Sequence, residues 1–273
     1  MRYDLFHKTA TLVVLMAFAG TALAQEHSSH SHDGTLHFSH PLVAESPSPD
    51  TKLRFDYFFA NEPGEEGEAG AKRHTTRIEG EYAFTPSFSI EVDLPYTFLD
   101  PDEGQSMDRL DNAEVGIKYA NFAFAEHGLL LGGGIEFALP TGNEDKGIGS
   151  DHVLEIEPFL DFGYKYDLLE IVGFTSFGLP QNENGEDEAD VEVGWNLSTL
   201  YHISPKVQAL LEFDGEHVYG GEEDGVNIVN VTPGIKIRPF DSSDLQVGIG
   251  VSLPLTDDKE FHARPILSVF YHF

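Results

Sequence analysis

The chain has no cysteine among its 273 residues. This absence excludes disulfide bonds, thiolate metal sites, thiol catalysis and the lipid-modified cysteine of a bacterial lipoprotein. No stretch is apolar over the roughly 20 residues that a transmembrane helix needs, so any membrane crossing must be made by strands. Basic residues are also scarce: 16 Lys and Arg stand against 47 Asp and Glu, a net charge of −31. Because nucleic-acid phosphates would repel such a chain, we predict no nucleic-acid partner.

Residues 1–24 have the pattern of an export signal. Arg2 and Lys8 supply positive charge, residues 11–19 form a short apolar core, and Ala22-Leu23-Ala24 fits a small-x-small cleavage site. We therefore predict a cleaved signal peptide, with a retained anchor as the alternative.

Residues 25–51 are rich in His, Ser and Pro and show no hydrophobic periodicity. This composition predicts a flexible tail on the periplasmic side. Its imidazoles could capture zinc, copper or nickel weakly, and the alternative is a solvated leader without useful affinity. No other cofactor is expected. The candidate metal ligands are His27, His30, His32, His37 and His40.

From Lys52 to Phe273, apolar and polar residues alternate in runs of about ten, separated by turn residues. This alternation is typical of transmembrane barrel strands and predicts an all-β, antiparallel, up-and-down barrel over residues 52–273. Pro158, Pro233 and Pro265 fall inside runs, and the parity slips between Ile228 and Val229, so we expect β-bulges there. The twelve runs are 52–60, 73–84, 88–99, 112–124, 129–140, 152–166, 169–179, 190–202, 206–217, 226–238, 244–254 and 261–273.

The connections alternate between short turns and longer acidic loops at 61–72, 100–111, 141–151, 180–189, 218–225 and 255–260. Short periplasmic turns opposite longer external loops are expected of a barrel in the bacterial outer membrane. Aromatic residues fall near both ends of the runs, where the two membrane interfaces favour them. The expected partners are outer-membrane lipid and lipopolysaccharide, whose bridging cations the acidic loops could bind, although simple solubility also explains these loops. The last run ends at Phe273 and resembles the signal read by the outer-membrane assembly machinery.

Three short motifs carry a resemblance to a known family. They are Asp93-Leu94-Pro95-Tyr96, the strand from Asn112 to Tyr119, and Leu139-Pro140-Thr141-Gly142. With them, the region 52–273 resembles the outer-membrane transporters labelled the "MetA-pathway of phenol degradation" family. The resemblance implies a β-barrel that takes up small molecules, some of them hydrophobic, and carries over no catalytic residue.

If the apolar face meets lipid, the opposite face lines the lumen and is mostly acidic. One interpretation is a narrow, cation-tolerant channel for passive uptake of a small solute of unknown identity. The other is structural, with acids and bases cross-linking a closed barrel. Phe58, Phe159, Phe174, Leu210 and Phe270 also point inward on this parity and could plug the lumen or line a path. The predicted lumen-lining residues are Asp56, Glu79, Glu81, Glu91, Asp93, Glu114, Lys118, Glu136, Glu155, Glu157, Asp161, Lys165, Glu192, Glu212, Asp214, Lys236, Arg238 and Arg264.

An outer-membrane lipid hydrolase is the rival class of function. It would need a Ser and a His on the lipid-facing wall with a polar partner to orient them. Ser252, Ser268 and His262 are assigned to the lumen face, and no GxSxG motif occurs. We therefore predict that the protein is not an enzyme.

Overall fold

The computed structural model describes residues 36–64, 70–181, 191–221, 224–240 and 244–273. The predicted signal peptide, and with it His27, His30 and His32 of the predicted tail, lies outside these described residues. No helix in the described ranges is long and apolar enough to cross a membrane.

The fold is a closed antiparallel β-barrel of twelve strands. The first strand pairs with both the second and the last, which closes the sheet. One further short strand, β4, pairs only with the end of β3 and extends it beyond the barrel. The strands are β1 (Lys52–Glu62), β2 (Ala71–Thr85), β3 (Phe88–Pro101), β4 (Met107–Leu110), β5 (Ala113–Asn121), β6 (Leu129–Leu139), β7 (Leu154–Tyr166), β8 (Leu169–Gln181), β9 (Val191–Ser204), β10 (Val207–Tyr219), β11 (Asn227–Ile237), β12 (Leu245–Pro254) and β13 (Arg264–His272).

The barrel strands confirm the twelve predicted runs, and the connections alternate in length as expected. At one end β7 and β8 are joined by two residues, and Asp167 there has a φ of 52°, a conformation that aspartate tolerates better than most residues. At the opposite end, β6 and β7 are joined by residues 140–153, which include the short 3₁₀ helix Glu144–Lys146. We call these the short-turn end and the long-loop end.

The two faces of the strands differ sharply. Along β1, Lys52, Arg54 and Asp56 are buried, whereas Leu53 between them is exposed. Large apolar side chains elsewhere on the outer wall are exposed too, including Leu160 at 63% and Ile249 at 55%. An apolar outer wall around a charged interior inverts the arrangement of a water-soluble barrel, and it suits a wall that contacts lipid.

Aromatic side chains stand at both ends of this outer wall. Tyr82, Phe84 and Tyr166 are exposed near the short turns, and Tyr96 and Tyr219 are exposed near the long loops. Two such belts match the positions of the two membrane interfaces.

Several details of the register differ from the predictions. Pro158, Pro233 and Pro265 each pair with one neighbouring strand. The other ladder continues in the same register past Pro158 and Pro233, and it ends just before Pro265, because proline has no N–H to donate. The prediction of β-bulges at these prolines is therefore wrong. The bulge predicted between Ile228 and Val229 is wrong too, because β11 pairs with β10 through both residues without a register shift. The alternation of the last predicted run, 261–273, places Phe261 on its apolar, outward face. Phe261 lies before β13 and is 1% exposed.

The most important difference concerns residues 36–51, which we call the lumen segment. The predicted flexible tail does not describe them, because Phe38, His40 and Leu42 are each at most 1% exposed. Phe38 and Leu42 belong to a buried apolar cluster with inward-facing barrel residues such as Leu210 and Phe270. This cluster lies inside the barrel, so the lumen segment supplies part of the core.

Candidate functional site: the lumen and the segment inside it

The lumen segment crosses the inside of the barrel as irregular chain and adds no strand to the sheet. The N–H of Ser39 donates to Glu170 on β8 at 2.8 Å, and the N–H of Asp50 donates to Glu81 on β2 at 3.1 Å. Between these points, Arg54 on β1 donates to the carbonyl of Leu42 at 2.5 Å. Contacts with strands on different sides of the barrel place the segment across the lumen.

Glu212 on β10 holds the centre of the segment. Its carboxylate accepts the backbone N–H groups of Leu42, Val43 and Ala44 at 2.7, 3.1 and 3.2 Å. It also accepts the hydroxyl of Ser198 at 2.9 Å. Three successive N–H groups around one buried carboxylate form a strong, charge-assisted contact. Alternation along β10 predicted that Glu212 faces inward, but its partner was not predictable from the strand pattern.

The apolar contacts of the lumen segment depend on glycines in the barrel wall. A Cβ on Gly163 would lie 2.7 Å from the ring of Phe38, and a Cβ on Gly248 would lie 2.4 Å from a methyl group of Leu42. Such distances are too short for real atoms, so these glycines make the space that the two side chains fill. The predicted inward orientation of Phe159, Leu210 and Phe270 is confirmed by their burial.

A network of buried charges joins the segment to β1, β2, β3 and β5. Lys52 lies 2.5 Å from Glu79 and 2.9 Å from Glu81, and it also lies 3.2 Å from Glu45 of the segment. Arg54 and Lys118 approach Glu45 at 3.2 and 3.6 Å.

Burial by itself would raise the pKa of Glu45. The three cations Lys52, Lys118 and Arg54 outweigh it and hold the pKa of this carboxyl well below its usual range. Glu45 is therefore ionised where it is docked, and it ties the segment to the wall electrostatically.

The structure places most of the predicted lumen residues where the alternation put them. Those that are at least nine-tenths buried are Asp56, Glu79, Glu81, Glu91, Asp93, Lys118, Asp161, Glu212 and Lys236. Those that are partly buried are Glu114, Glu136, Glu155, Glu157, Lys165, Glu192, Asp214 and Arg264.

Arg238 is a correction to this set. It lies one residue beyond the end of β11 and is exposed, and its N–H donates to the carbonyl of Lys206 in the neighbouring turn. The alternation was extended past the point where β11 ends. The prediction did not place the lumen segment inside the barrel, and it did not name Lys52, Arg73 or Arg77 as lumen residues.

Towards the long-loop end, one wall of the lumen is acidic and the facing wall carries arginines that are paired with carboxylates. Glu136 on β6 is directly opposite Glu157 on β7 in the ladder. Glu155 on β7 and Glu192 on β9 approach each other over Gly178 of β8, the strand between them. Carboxylates placed side by side repel each other, so this wall favours cations nearby.

The facing part of the lumen, around β1, β2 and β13, carries arginines. A cavity of about 670 Å³ is lined there by Val43 of the lumen segment and by Phe58, Arg73, Arg77, Phe261 and Arg264. The guanidinium carbon of Arg264 lies 4.5 Å from the centre of the Phe261 ring and 5.9 Å from that of Phe58. The cavity thus ends on the lumen segment and is large enough for a small solute.

Two of the predicted metal ligands, His37 and His40, belong to the lumen segment. Both ring Nε2 atoms approach Oδ2 of Asp50, at 3.0 and 3.2 Å, and so does Nε2 of His272 on β13, at 3.2 Å. The prediction named neither Asp50 nor His272, because no sequence pattern connects residue 50 with residue 272.

Comparison with known proteins gives matches at the level of structure. No protein-family model and no curated protein sequence matches the chain. The structure is similar to an outer membrane channel from Pseudomonas putida F1, with a TM-score of 0.66 and 12% identity over 88% of this chain and 98% of that one. It is also similar to the NanC porin, with a TM-score of 0.54 and 8% identity over 82% and 98% of the two chains.

A third similar structure is the β domain of the Bordetella autotransporter BrkA, with a TM-score of 0.51 and 12% identity over 82% of this chain and all of that one. Identities this low show the fold alone. The chain therefore has the fold of an outer-membrane β-barrel, a fold that it shares with the channel and the porin named above. The resemblance to the phenol-degradation transporter family stays a prediction.

Proposed function

We propose that this protein is an outer-membrane channel for the passive uptake of small solutes, gated by residues 36–51. The observation that carries the proposal is the way in which the lumen segment is held. It joins no strand of the sheet, and its attachments are side-chain ion pairs, hydrogen bonds and four apolar side chains, those of Leu36, Phe38, Leu42 and Val43. Because water can replace such polar contacts, the segment can leave while the twelve-stranded wall stays closed.

In this arrangement the long loops face outward and the short turns face the periplasm. A solute enters the cavity at the long-loop end, reaches Val43, and passes when the segment moves. The excess of carboxylates on β5 to β9 supports a narrow, acidic path that prefers cations. Outer-membrane lipid and lipopolysaccharide surround the exposed aromatic belts, and the last strand, followed directly by Phe273, is proposed to engage the assembly machinery.

The test uses the fact that the chain has no native cysteine. Cγ of Leu42 lies 3.7 Å from the position of a Cβ on Gly248, so cysteines at 42 and 248 are close enough to be joined with a small adjustment. We expect the doubly substituted protein Leu42→Cys/Gly248→Cys to conduct poorly in planar bilayers when oxidised and to recover discrete conductance steps when reduced. Leu42→Cys alone is the matched control and should not respond to the reductant.

The reversal potential in a salt gradient tests selectivity in the same recordings, and we expect a shift toward cations. A closed structural barrel is the second candidate, because the buried charges and apolar cluster also fill the lumen. It predicts no conductance from the wild-type or the reduced protein. Equal conductance in the oxidised and reduced states would show a path that bypasses the segment.

A further inference from the structure

Three histidines converge on one carboxylate oxygen at the short-turn end of the barrel. We infer that His37, His40, Asp50 and His272 form a binding site for one divalent transition-metal ion, of which zinc fits best. Three of the ligands come from the lumen segment, and the fourth comes from β13. The inference concerns metal binding and goes beyond the proposed transport of solutes.

The distances agree with a tetrahedral ion. With zinc–nitrogen and zinc–oxygen bonds of about 2.0–2.2 Å, neighbouring ligand atoms are separated by about 3.4 Å. The three Nε2 atoms lie 3.0, 3.2 and 3.2 Å from Oδ2 of Asp50. For His40, Asp50 and His272, the ligand atoms all lie within 4.8 Å of one another. Small movements would place these three around one ion, and the ring of His37, which contacts Asp50 but does not lie within 4.8 Å of all three, would have to turn inward to become the fourth ligand.

Hydrogen bonding alone does not account for the cluster. Three ring nitrogens crowd a single carboxylate oxygen of Asp50, whose two lone pairs suit two strong donors best. His37 and His40 do hydrogen-bond to Oδ2 of Asp50. Nε2 of His272 is buried and has no hydrogen-bond partner, even though it lies 3.2 Å from the same oxygen. A ring nitrogen in this position suits a metal ligand better than a third donor.

The surroundings supply a way in and set one requirement. Nζ of Lys52 lies 3.2 Å from Nδ1 of His40. Because a ring that binds metal through Nε2 carries its proton on Nδ1, Lys52 would have to turn from this nitrogen toward Glu79, Glu81 and Glu45, which already hold it at 2.5, 2.9 and 3.2 Å. The side chains of His37 and Asp50 are 34% and 14% exposed, so an ion can reach the cluster from the solvent. Imidazole nitrogens with one carboxylate are the ligand set that zinc, copper and nickel use.

An ion at this site would join the lumen segment to the last strand. His37, His40 and Asp50 would be held to His272 on the wall by metal–ligand bonds, which exchange more slowly than the hydrogen bonds that they replace. The segment would then stay docked while the metal is bound.

The test is a calorimetric titration of the full chain in detergent, with zinc added alone after removal of metals by a chelator. We expect one tight zinc ion per chain. His272→Gln should weaken this binding at least about 100-fold, since it removes a direct ligand. The matched control His262→Gln, an exposed histidine in the loop before β13, should bind like the wild type. Cobalt should give the visible absorption of a tetrahedral site in the wild type and lose it in His272→Gln.

Two results would overturn the inference. One is the absence of tight zinc binding to the wild type. The other is binding that survives His272→Gln but is lost when His27, His30 and His32 are replaced together, which would assign the metal to the tail alone. If His272→Gln does not assemble, Asp50→Asn tests the same site, because Asp50 belongs to the lumen segment and to no strand. It should show the same loss of zinc affinity. None of these readouts depends on conductance, so the site can fail or succeed separately from the channel.

Discussion

Replacing Glu212 with glutamine should loosen the lumen segment without changing the barrel. In the wild type, Oε1 accepts Leu42, while Oε2 accepts Val43, Ala44 and Ser198. Glutamine has one oxygen, so its amide must turn an N–H₂ group toward at least one of these backbone donors. At least one hydrogen bond to a charged acceptor is then lost.

Such a bond contributes about 1.5–3 kcal/mol. Taking about 2–3 kcal/mol for one lost bond together with the lost charge, the population of released segment should rise about 30- to 150-fold. Hydrogen exchange measures this population directly, because the amides of Leu42, Val43 and Ala44 exchange when the segment leaves Glu212. Their protection factors should fall by the same factor, and the open time in planar bilayers should rise with them.

Asp214→Asn is the matched control for this experiment. Asp214 is the next inward carboxylate on β10, and it accepts the side-chain amide of Asn230 at 2.8 Å and not the lumen segment. It should leave the protection of residues 42–44 unchanged. If Glu212→Gln also leaves this protection unchanged, then the three N–H contacts do not hold the segment, and the argument for its release through polar exchange is wrong.

Three further predictions address pH, space and the lipid-facing wall. Since the pKa of docked Glu45 lies below its usual range, its ionised form favours docking at neutral pH, and this contribution is lost as the pH falls from the ordinary carboxyl range through the lower docked value. Acidification in the presence of a chelator should therefore lengthen the open time, and Glu45→Gln should be open longer at pH 7 and respond less to acid; equal pH responses would contradict this. Gly248→Leu should displace Leu42 and raise the conductance of the barrel, whereas Gly80→Ala, where an added Cβ meets nothing within 4 Å, should not; equal conductance of the two variants would refute the steric argument. Leu160→Arg, in the middle of β7 on the outer wall, should make the free energy of folding into bilayers less favourable by about 2–4 kcal/mol, whereas Tyr166→Arg near the interface should do so by about 0–1 kcal/mol. Urea titration in lipid measures both values. Equal costs would mean that Leu160 does not lie at the bilayer centre.

The sequence was sufficient to predict the barrel because strand alternation is a local signal. Each of the twelve runs carries its own two-residue period, and the wall they build repeats one arrangement. Burial of Glu212 and Lys118 followed from that period alone. The end of β11 did not follow from the period. Arg238 continues the polar positions of the strand into the turn, and it was therefore wrongly predicted to line the lumen.

The lumen segment could not be predicted, because its contacts join residues far apart in the chain. Leu42 and Glu212 are 170 positions apart, and no periodicity marks the segment itself. The sequence feature that could have indicated the segment lies in the barrel strands. Inward positions of β11 and β12 are occupied by glycines that surround Leu42, namely Gly234, Gly248 and Gly250. Glycines on the inner face next to inward Leu210 and Phe270 leave a space that another part of the chain must fill. The metal cluster was half predicted: His37 and His40 were named, and their partner on β13 was not.

The position of the lumen segment has a consequence for the order in which the barrel assembles. β1 and β13 meet over seven residue pairs, from Lys52 opposite His272 to Phe58 opposite Ile266, and these are the first and last strands to be made. Asp50 contacts Glu81 on one flank of this junction and His272 on the other. The complete set of attachments therefore exists only once the two ends of the sheet have met, and seating of the lumen segment is a natural final step of assembly.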